Sequence, residues 1–500
     1  MKVYTADQIK EADQFTIKNE PIRSIDLMER AAMQLHSWFL ANVSKKRLIW
    51  IWAGMGNNGG DGLALARLLK HSGYSVRISI VRFSENGSPD FQENFNRLHQ
   101  VGLAHEDVTS ADDLPAISHG TILVDALLGT GLNREVEGWV SQIMEYLNWQ
   151  EAVRIAVDIP SGLFAEDNDQ NSGIRFQANH TLTFQFPKLS FFMPENHTYV
   201  GEFHVLPIGI SQDFIFQEPT KYFASDADWI RLLLKKRKAF EHKGTYGHAC
   251  IAAGARGKMG AAVLATKACL RSGAGLTTAH IPGDGLQIMQ ISAPEAMCLP
   301  DDDDSELNYI CDHHEFDAMG IGPGIGQSET VTHWLWNTLK LADKPIVLDA
   351  DALNILSENK EWLALIPEGS ILTPHPGEFK RLVGDFSPYH RLQELSAFAR
   401  RYNCVTLLKG HYTAIASPDG EIIFNQTGNP GMATGGSGDV LTGILTGLLA
   451  QGYSPKQVAI IGVYIHGRAG DFAALKIGQE SLIAGDIIRN LGKAWKELRA

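Results

Sequence analysis

At the rough rule of 100–200 residues per domain, a chain of 500 residues predicts two or three domains, and a 44% apolar share is enough for ample cores. The net charge of −13 excludes non-specific binding to nucleic acid or to an anionic membrane surface. Five scattered cysteines, an odd number beginning at Cys250, exclude a disulfide framework and fit a reducing, cytoplasmic compartment. The first residues lack the apolar core of a signal peptide, and no uninterrupted apolar run approaches about 18 residues, so no membrane span is expected.

Residues 6–20 and 24–42 read as helices, the first capped by Thr5 and the second carrying an apolar stripe of Ile25, Leu27, Met28, Ala31, Ala32 and Leu35. Arg47 to Ala53 is a continuous apolar run, hence a buried strand. A glycine turn, Gly54 to Gly62, leads into a helix through Leu63, Leu65, Ala66, Leu68 and Leu69, and a second strand runs from Ser75 to Val81. Strand, glycine turn, helix and strand make a Rossmann-like unit. Gly54, Gly56 and Gly59 satisfy G-x-G-x-x-G, but Asp61 near the helix start would repel a pyrophosphate. Asn57, Asn58 and Asp61 instead form a polar loop whose oxygens suit ribose hydroxyls or a hard cation.

Two further strands end on acids. Thr121 to Ala126 carries Asp125 and is followed by Gly129-Thr130-Gly131, and Val153 to Val157 runs into Asp158-Ile159-Pro160-Ser161-Gly162. Ligands of parallel sheets lie outside the carboxyl ends of the strands, so loops bearing Asn58, Asp125 and Ser161 can converge on one pocket with Asp158 as its acid/base. The next strand, Thr181 to Phe186, ends at Lys188, which either faces that pocket or is a surface charge.

These residues resemble the YjeF N-terminal domain family, the NAD(P)H-hydrate epimerases, over roughly residues 1–210. The resemblance implies a potassium ion held by Asn58, Asp125 and Ser161. It also implies substrate contacts from Asn57, Asn58, Gly59, Gly60 and Asp61, from Gly129, Thr130, Gly131, Leu132, Asn133, Arg134 and Glu135, and from Asp158 as the catalytic residue. Leu189-Ser190 departs from the small residue and glycine usual after Pro187-Lys188.

Residues 212–225 lack periodicity and divide a domain at 1–215 from one at 226–500. A short helix through Leu232, Leu233 and Leu234 precedes a basic run, Lys235 to Lys238, and the turn Lys243-Gly244-Thr245-Tyr246-Gly247. A strand (Ala249 to Ala253), a glycine turn (Gly254 to Gly260), a helix with Leu264, Ala268 and Leu270, and another strand after Gly275 follow. Asp301 to Asp304, with Cys311, His313 and His314, match no closed metal site and read as an exposed acidic loop. Strands at Phe316 to Ile321, Lys344 to Leu348, Ile371 to Thr373 and Cys404 to Leu408 end respectively on Gly322-Pro323-Gly324, on Asp349 and Asp351, on a proline-flanked His375, and on Lys409.

The last stretch, Asn429 to Gly443, is a glycine loop before an apolar helix through Val440, Leu441, Ile444, Leu445, Leu448 and Leu449. Free N–H groups and the helix dipole suit a phosphate there. Asp439 falls in the first turn, where a carboxylate has a use as the base for a hydroxyl that attacks a phosphoryl group.

Alternating strands and helices with a late phosphate loop indicate a ribokinase-like α/β domain, so the whole is an N-terminal Rossmann-like three-layer sandwich followed by that domain. Residues 226–500 resemble the YjeF C-terminal family, the ADP/ATP-dependent NAD(P)H-hydrate dehydratases, in Lys243 to Gly247, Gly322 to Gly326, Leu348 to Asn354, Thr373 to Glu378, Leu408 to Gly410 and Asn429 to Asp439. The resemblance implies that Ala261, Gly324, His375 and Asp439 contact the hydrate. It also implies that Lys409, Gly410, His411, Tyr412, Thr413 and Gly438 contact ADP or ATP, with Mg²⁺. Asp439 becomes the catalytic base, the partners are NAD(P)HX and adenine nucleotide, and the family points to a homo-oligomer. Two other readings compete: a ribokinase-like kinase of a small alcohol, which would leave a stable phosphorylated product, and a non-catalytic dinucleotide-binding scaffold.

Overall fold

The computed structural model describes residues 1–112 and 114–499. The chain divides into two compact units, Lys2–Thr220 and Lys221–Ala500.

The first unit is built on seven strands in the order Glu106–Val108, Ser75–Val81, Leu48–Ala53, Ile122–Ala126, Val153–Val157, His180–Phe184, Glu202–Leu206. All neighbours are parallel. Alternation along the strands sorts side chains to two faces. Ile49, Ile51, Ile78 and Val124 pack with Leu35, Phe39, Leu63, Leu69 and Phe91 from helices Ser24–Asn42, Asn57–His71 and Pro89–Gln100. Trp50, Trp52, Leu123 and Ala156 pack with Val140, Ile143, Met144 and Leu147 of helix Trp139–Asn148. These are the three layers of a Rossmann-like sandwich.

The polar stretch after Gly56 is not a loop. The helix begins at Asn57, with extended Gly56 as its N-cap. Glycines permit this by close approach, not by flexibility. A Cβ at Gly59 would lie 1.9 Å from the Gly54 carbonyl oxygen, and one at Gly62 2.6 Å from the Ala126 Cβ. The first turn of the helix therefore lies directly on the strands, carrying Asn58 and Asp61 inward, where both are buried.

The second unit carries a ten-strand run: Tyr222–Ala224, Ile422–Phe424, Ala414–Ala416, Val405–Leu408, Ile371–Leu372, Ile346–Leu348, Ala318–Ile321, His248–Ala252, Leu276–Ile281 and Met297–Pro300. Ala414–Ala416 runs antiparallel to both its neighbours, and the other pairs are parallel. Helices Met259–Arg271, Ser437–Ala450, Pro455–Ile477 and Ala484–Arg499 bury their apolar sides against one face of this sheet. Pro455–Ile477 is long and apolar enough to cross a membrane, but 78% of its apolar window is buried inside the protein, which is the setting of a core helix.

The acidic segment after Met297–Pro300 is not an exposed loop throughout. Asp302 and Asp304 are exposed, whereas Asp301, Cys311 and His313 are buried. The Asp301 carboxylate accepts from the amides of Asp303 (3.0 Å), Asn308 (2.8 Å) and Tyr309 (2.7 Å) and lies 3.5 Å from His280 Nε2. Burial pushes this acid up, but His280 and the three amides outweigh it and hold the carboxyl well below its usual range. A run of four aspartates read as solvent-facing charge because two of the three amides that hold Asp301, those of Asn308 and Tyr309, and the His280 ring lie outside the run.

Gly443 tests how closely helices Met259–Arg271 and Ser437–Ala450 approach. Alanine in a helix interior is ordinarily better than glycine by about 1 kcal/mol. Here a Cβ would sit 2.0 Å from the Ala265 carbonyl oxygen and 2.9 Å from the Ala268 Cβ. Gly443→Ala is therefore expected to lower the thermal midpoint of the second unit, and a calorimetric rise would contradict this packing.

Candidate active sites

In the first unit the strand order reverses between Leu48–Ala53 and Ile122–Ala126, which opens a crevice at their carboxyl ends. Three of the expected residues meet there. Ser161 donates through its amide to Asp125 Oδ2 (2.8 Å) and through Oγ to Oδ1 (2.6 Å), and the Leu128 amide donates to Ser161 Oγ (2.8 Å). Asn58 Nδ2 donates to the Leu128 carbonyl (2.9 Å), which leaves Asn58 Oδ1 buried with no partner among the described residues. Burial drives the Asp125 carboxyl up to about 6 against the hydrogen bonds from Ser161 and Leu127. An orphaned amide oxygen, a carboxylate, a hydroxyl and a carbonyl oxygen form an all-oxygen donor set that fits a hard monovalent cation such as potassium.

Gly129 lies against this cluster: its Cβ position is 3.3 Å from the Asn58 Cβ. Residues 130–135 are exposed or half-buried, and Glu135 turns away to accept from the Ser172 amide (2.6 Å) and hydroxyl (2.9 Å). Asn57 is exposed, unlike Asn58, Gly59, Gly60 and Asp61.

Asp158 follows Val153–Val157 with a left-handed backbone (φ +64°), a costly conformation for a non-glycine residue. Its Oδ1 accepts from Lys188 Nζ (2.5 Å), the Phe184 amide (3.1 Å) and Thr183 Oγ1 (3.3 Å). Lys188 is fully buried and also donates to Thr183 Oγ1 (2.7 Å), so it faces inward and is not a surface charge. The departure at Leu189-Ser190 is accommodated by a 3₁₀ turn, Leu189–Phe192.

Two more acids share this ground. Burial, then the Asp158 charge, push Asp13 up to about 7, with Lys188 opposing. Burial, Asp158 and Asp13 raise Asp61 well above the usual range. Asp13 was not anticipated from the sequence. The available signal was its position beside Ala12 and Thr16, the two fully buried residues of helix Ala6–Asn19.

In the second unit Asp439 lies in the first turn of Ser437–Ala450, behind left-handed Gly436 (φ +89°). Lys409 Nζ donates to Asp349 Oδ1 (2.8 Å), and Thr442 Oγ1 donates to Asp349 Oδ2 (2.7 Å). Burial raises Asp349, but the Lys409 charge and these hydrogen bonds outweigh it and hold the carboxyl below its ordinary value. Asp439 has no such relief: burial and the Asp349 charge push it up to about 6, against Lys409. The Gly438 Cβ position is 3.5 Å from Asp349 Oδ2 and 3.6 Å from Lys409 Nζ, so the loop rests on the ion pair.

Lys409 also lies 3.8 Å from Glu378, whose Oε2 accepts from the His375 amide (2.7 Å). His375 caps helix Pro376–Val383, with Nδ1 accepting from the amides of Gly377 (3.0 Å) and Glu378 (3.3 Å). That fixes Nδ1 as acceptor and leaves half-exposed Nε2 to carry the ring proton. Gly324 (φ +66°) packs on Ala261, its Cβ position 3.1 Å from the Ala261 Cβ. Thr413 Oγ1 donates to the Gly410 carbonyl (3.1 Å), and the rings of His411 and Tyr412 meet edge to face. His466, absent from the sequence expectations, stands 3.3 Å from Ser437 Oγ, and burial drives it down to about 4, so it is neutral at pH 7.

The raised Asp13 carboxyl binds its proton more tightly folded than unfolded. It costs nothing below its ordinary range near 3.8 and an increasing amount as pH rises to about 7. Asp13→Asn is expected to stabilise the chain at pH 8 by on the order of 2 kcal/mol, with the gain vanishing near pH 4. Urea unfolding at the two pH values checks this, and a constant difference would contradict it.

Residues 249–492 match the NAD(P)H-hydrate dehydratase family, and residues 24–190 match the YjeF-related protein N-terminus family. The bifunctional NAD(P)H-hydrate repair enzyme Nnr of Moorella thermoacetica is 36% identical, over 98% of this chain and 95% of its own length. The enzyme of the same name from Escherichia coli K12 is 31% identical over 98% and 93%. A ribokinase-like superfamily protein of Enterococcus faecalis V583 is 27% identical with a TM-score of 0.50, covering 56% of this chain and 98% of its own. With two matched halves and relatives aligned end to end, this chain belongs to the family of bifunctional NAD(P)H-hydrate repair enzymes.

Proposed function

We propose that the chain repairs hydrated NAD(P)H in two steps. The first unit interconverts the R and S forms of NAD(P)HX, and the second dehydrates the S form with an adenine nucleotide. The observation that carries the second step is Asp439, a carboxyl raised to about 6 at a glycine-loop helix N-terminus beside the Lys409–Asp349 pair.

Hydroxide is a poor leaving group and phosphate a good one. Asp439 takes the proton of the C6 hydroxyl as that oxygen bonds to the terminal phosphorus of ADP or ATP, breaking the anhydride and releasing AMP or ADP. The ring nitrogen lone pair then expels phosphate from C6, and loss of the C5 proton restores NAD(P)H. Gly438 and the residues 409–413 receive the nucleotide, with Lys409 offsetting phosphoryl charge. Ala261, Gly324 and His375 line the place of the hydrate. Mg²⁺ would supply charge neutralisation beside the phosphates, and Asp351, whose charge adds to the upward push on Asp439, is a carboxylate oxygen donor that fits it.

In the first unit Asp158 is the acid/base, oriented by Lys188, with Asp13 and Asp61 beside it. Asn57 to Asp61 and Gly129 to Glu135 receive the dinucleotide. Potassium, held by Asn58, Asp125 and Ser161, would neutralise the buried Asp125 charge and keep these loops in register.

Absorbance recovery at the NADH band from a mixed R/S hydrate tests both steps. Full recovery is expected with ADP or ATP and none beyond the spontaneous rate without nucleotide. A stable phosphorylated product with no NADH would replace this reading with a small-alcohol kinase. Asp439→Asn is expected to lower dehydration about 10²–10⁴-fold while retaining nucleotide binding. Since the base must be ionised, the wild-type rate falls as pH drops through about 6. Asp158→Ala is expected to stop R consumption above its spontaneous rate and leave S consumption unchanged.

A further inference from the structure

The edge of the first sheet carries a second cluster of chemistry-bearing side chains. His180 opens the strand His180–Phe184 and is in register with Glu202, which opens the edge strand Glu202–Leu206. His204 stands two residues beyond Glu202, so it shares that residue's face. His204 Nε2 lies 3.3 Å from His180 Nδ1. The two Glu202 oxygens reach the pair separately, at 3.8 Å from His180 Nδ1 and 3.9 Å from His204 Nε2. Trp38 of helix Ser24–Asn42 closes one side, its ring centroid 5.5 Å from His180 and 5.4 Å from His204.

Three facts point beyond a plain hydrogen-bonded pair. The ligand atoms of His180, Glu202 and His204 all lie within 4.8 Å of one another, and they form the one such His/Cys/Asp/Glu trio among the described residues. An ion at about 2.0–2.2 Å from each ligand separates tetrahedral neighbours by about 3.3–3.6 Å, close to the spacings present. The cluster also opens on a cleft of about 500 Å³ lined by Trp38, Asn42, Arg47 and Val153, which gives an ion an entry path and a free position for water. Arg47 Nε donates to the Gly120 carbonyl.

We propose that His180, His204 and Glu202 form a binding site for a divalent transition-metal ion of the zinc type, with an open position toward the cleft. Two imidazoles and one carboxylate suit such an ion better than magnesium or potassium. The site pins the edge strand to its neighbour. It lies at the amino ends of the strands, about 13 Å of strand away from Asp158 and Lys188 at their carboxyl ends. It is therefore a site separate from the proposed epimerase chemistry, and its occupancy does not depend on that assignment.

The test uses full-length, untagged protein stripped with a chelator and titrated with Zn²⁺ alone against a chromophoric competitor. Wild type is expected to take up one more tight equivalent than the His180→Gln/His204→Gln double variant, and Zn²⁺ is expected to raise the thermal midpoint of wild type alone. The five cysteines are common to both chains and cancel in the comparison. Glu202→Gln, at a largely exposed side chain that folding does not need, is expected to weaken the same equivalent about tenfold or more. Equal uptake by wild type and double variant, including no uptake by either, overturns the proposal. Unaltered affinity in Glu202→Gln overturns it as well.

Discussion

A lysine held against a strand-end aspartate recurs in both units, fully buried Lys188 on Asp158 at 2.5 Å and partly buried Lys409 on Asp349 at 2.8 Å. Taking one charge out of water costs several kcal/mol, and a partner of opposite charge offsets that cost. Pairing solves that for two groups and leaves any further carboxyl in the neighbourhood without compensation. In the first unit the uncompensated groups are Asp13 and Asp61, in the second Asp439, and all three are raised. The ion pair thus leaves each site with one carboxyl paired to a lysine and others pushed upward by burial and by that carboxyl's charge.

The scaffolds reach this arrangement by backbone proximity. Parallel strands deliver Asp125, Asp158, Asp349 and Lys409 to the carboxyl edge of their sheets, and helices must begin almost in contact with those edges. Glycine supplies the contact. Gly322 could not carry a Cβ, which would meet the Asp349 carbonyl oxygen at 1.8 Å, nor could Gly59 against Gly54. The left-handed backbones at Asp158 and Ala350 lie in the same places, beside the paired acids. Such strain persists where surrounding structure over-determines it, and here the surroundings are the ion pairs themselves.

What the sequence made legible follows the same logic. Acids and lysines at the ends of apolar runs, such as Asp158 and Lys409, are readable because a buried strand fixes where its last residue points. The segment after Gly56 read as a loop because glycine and asparagine favour turns, and only the strand beneath makes it a helix. Asp301 read as exposed because two of its amide partners, Asn308 and Tyr309, and its His280 neighbour lie outside the acidic run. Asp13 escaped notice because its neighbour Asp158 is far along the chain and a single acid in an amphipathic helix ordinarily faces water. His466 was masked in the same way, inside a long apolar helix whose periodicity reports burial and not chemistry.

Of the three raised acids, Asp13 and Asp439 each suit one of the two proposed reactions. Epimerisation runs in both directions, so its site must give and accept protons with similar ease at one pH. Asp13, pushed up to about 7 by burial and the Asp158 charge, can hold or release a proton near neutrality, which suits a reaction that runs both ways. Dehydration driven by nucleotide cleavage runs one way and needs a base at the first step. A carboxyl near 6, as at Asp439, is mostly ionised at pH 7 yet binds a proton more strongly than an exposed aspartate. Burial is the first cause of both shifts, with Asp158 and Asp349 adding to it and Lys188 and Lys409 opposing it. Each raised acid thus answers to two things, how deeply it lies and which charges stand beside it, a lysine-paired aspartate that pushes it up and, at Asp13 and Asp439, a lysine that pulls it back.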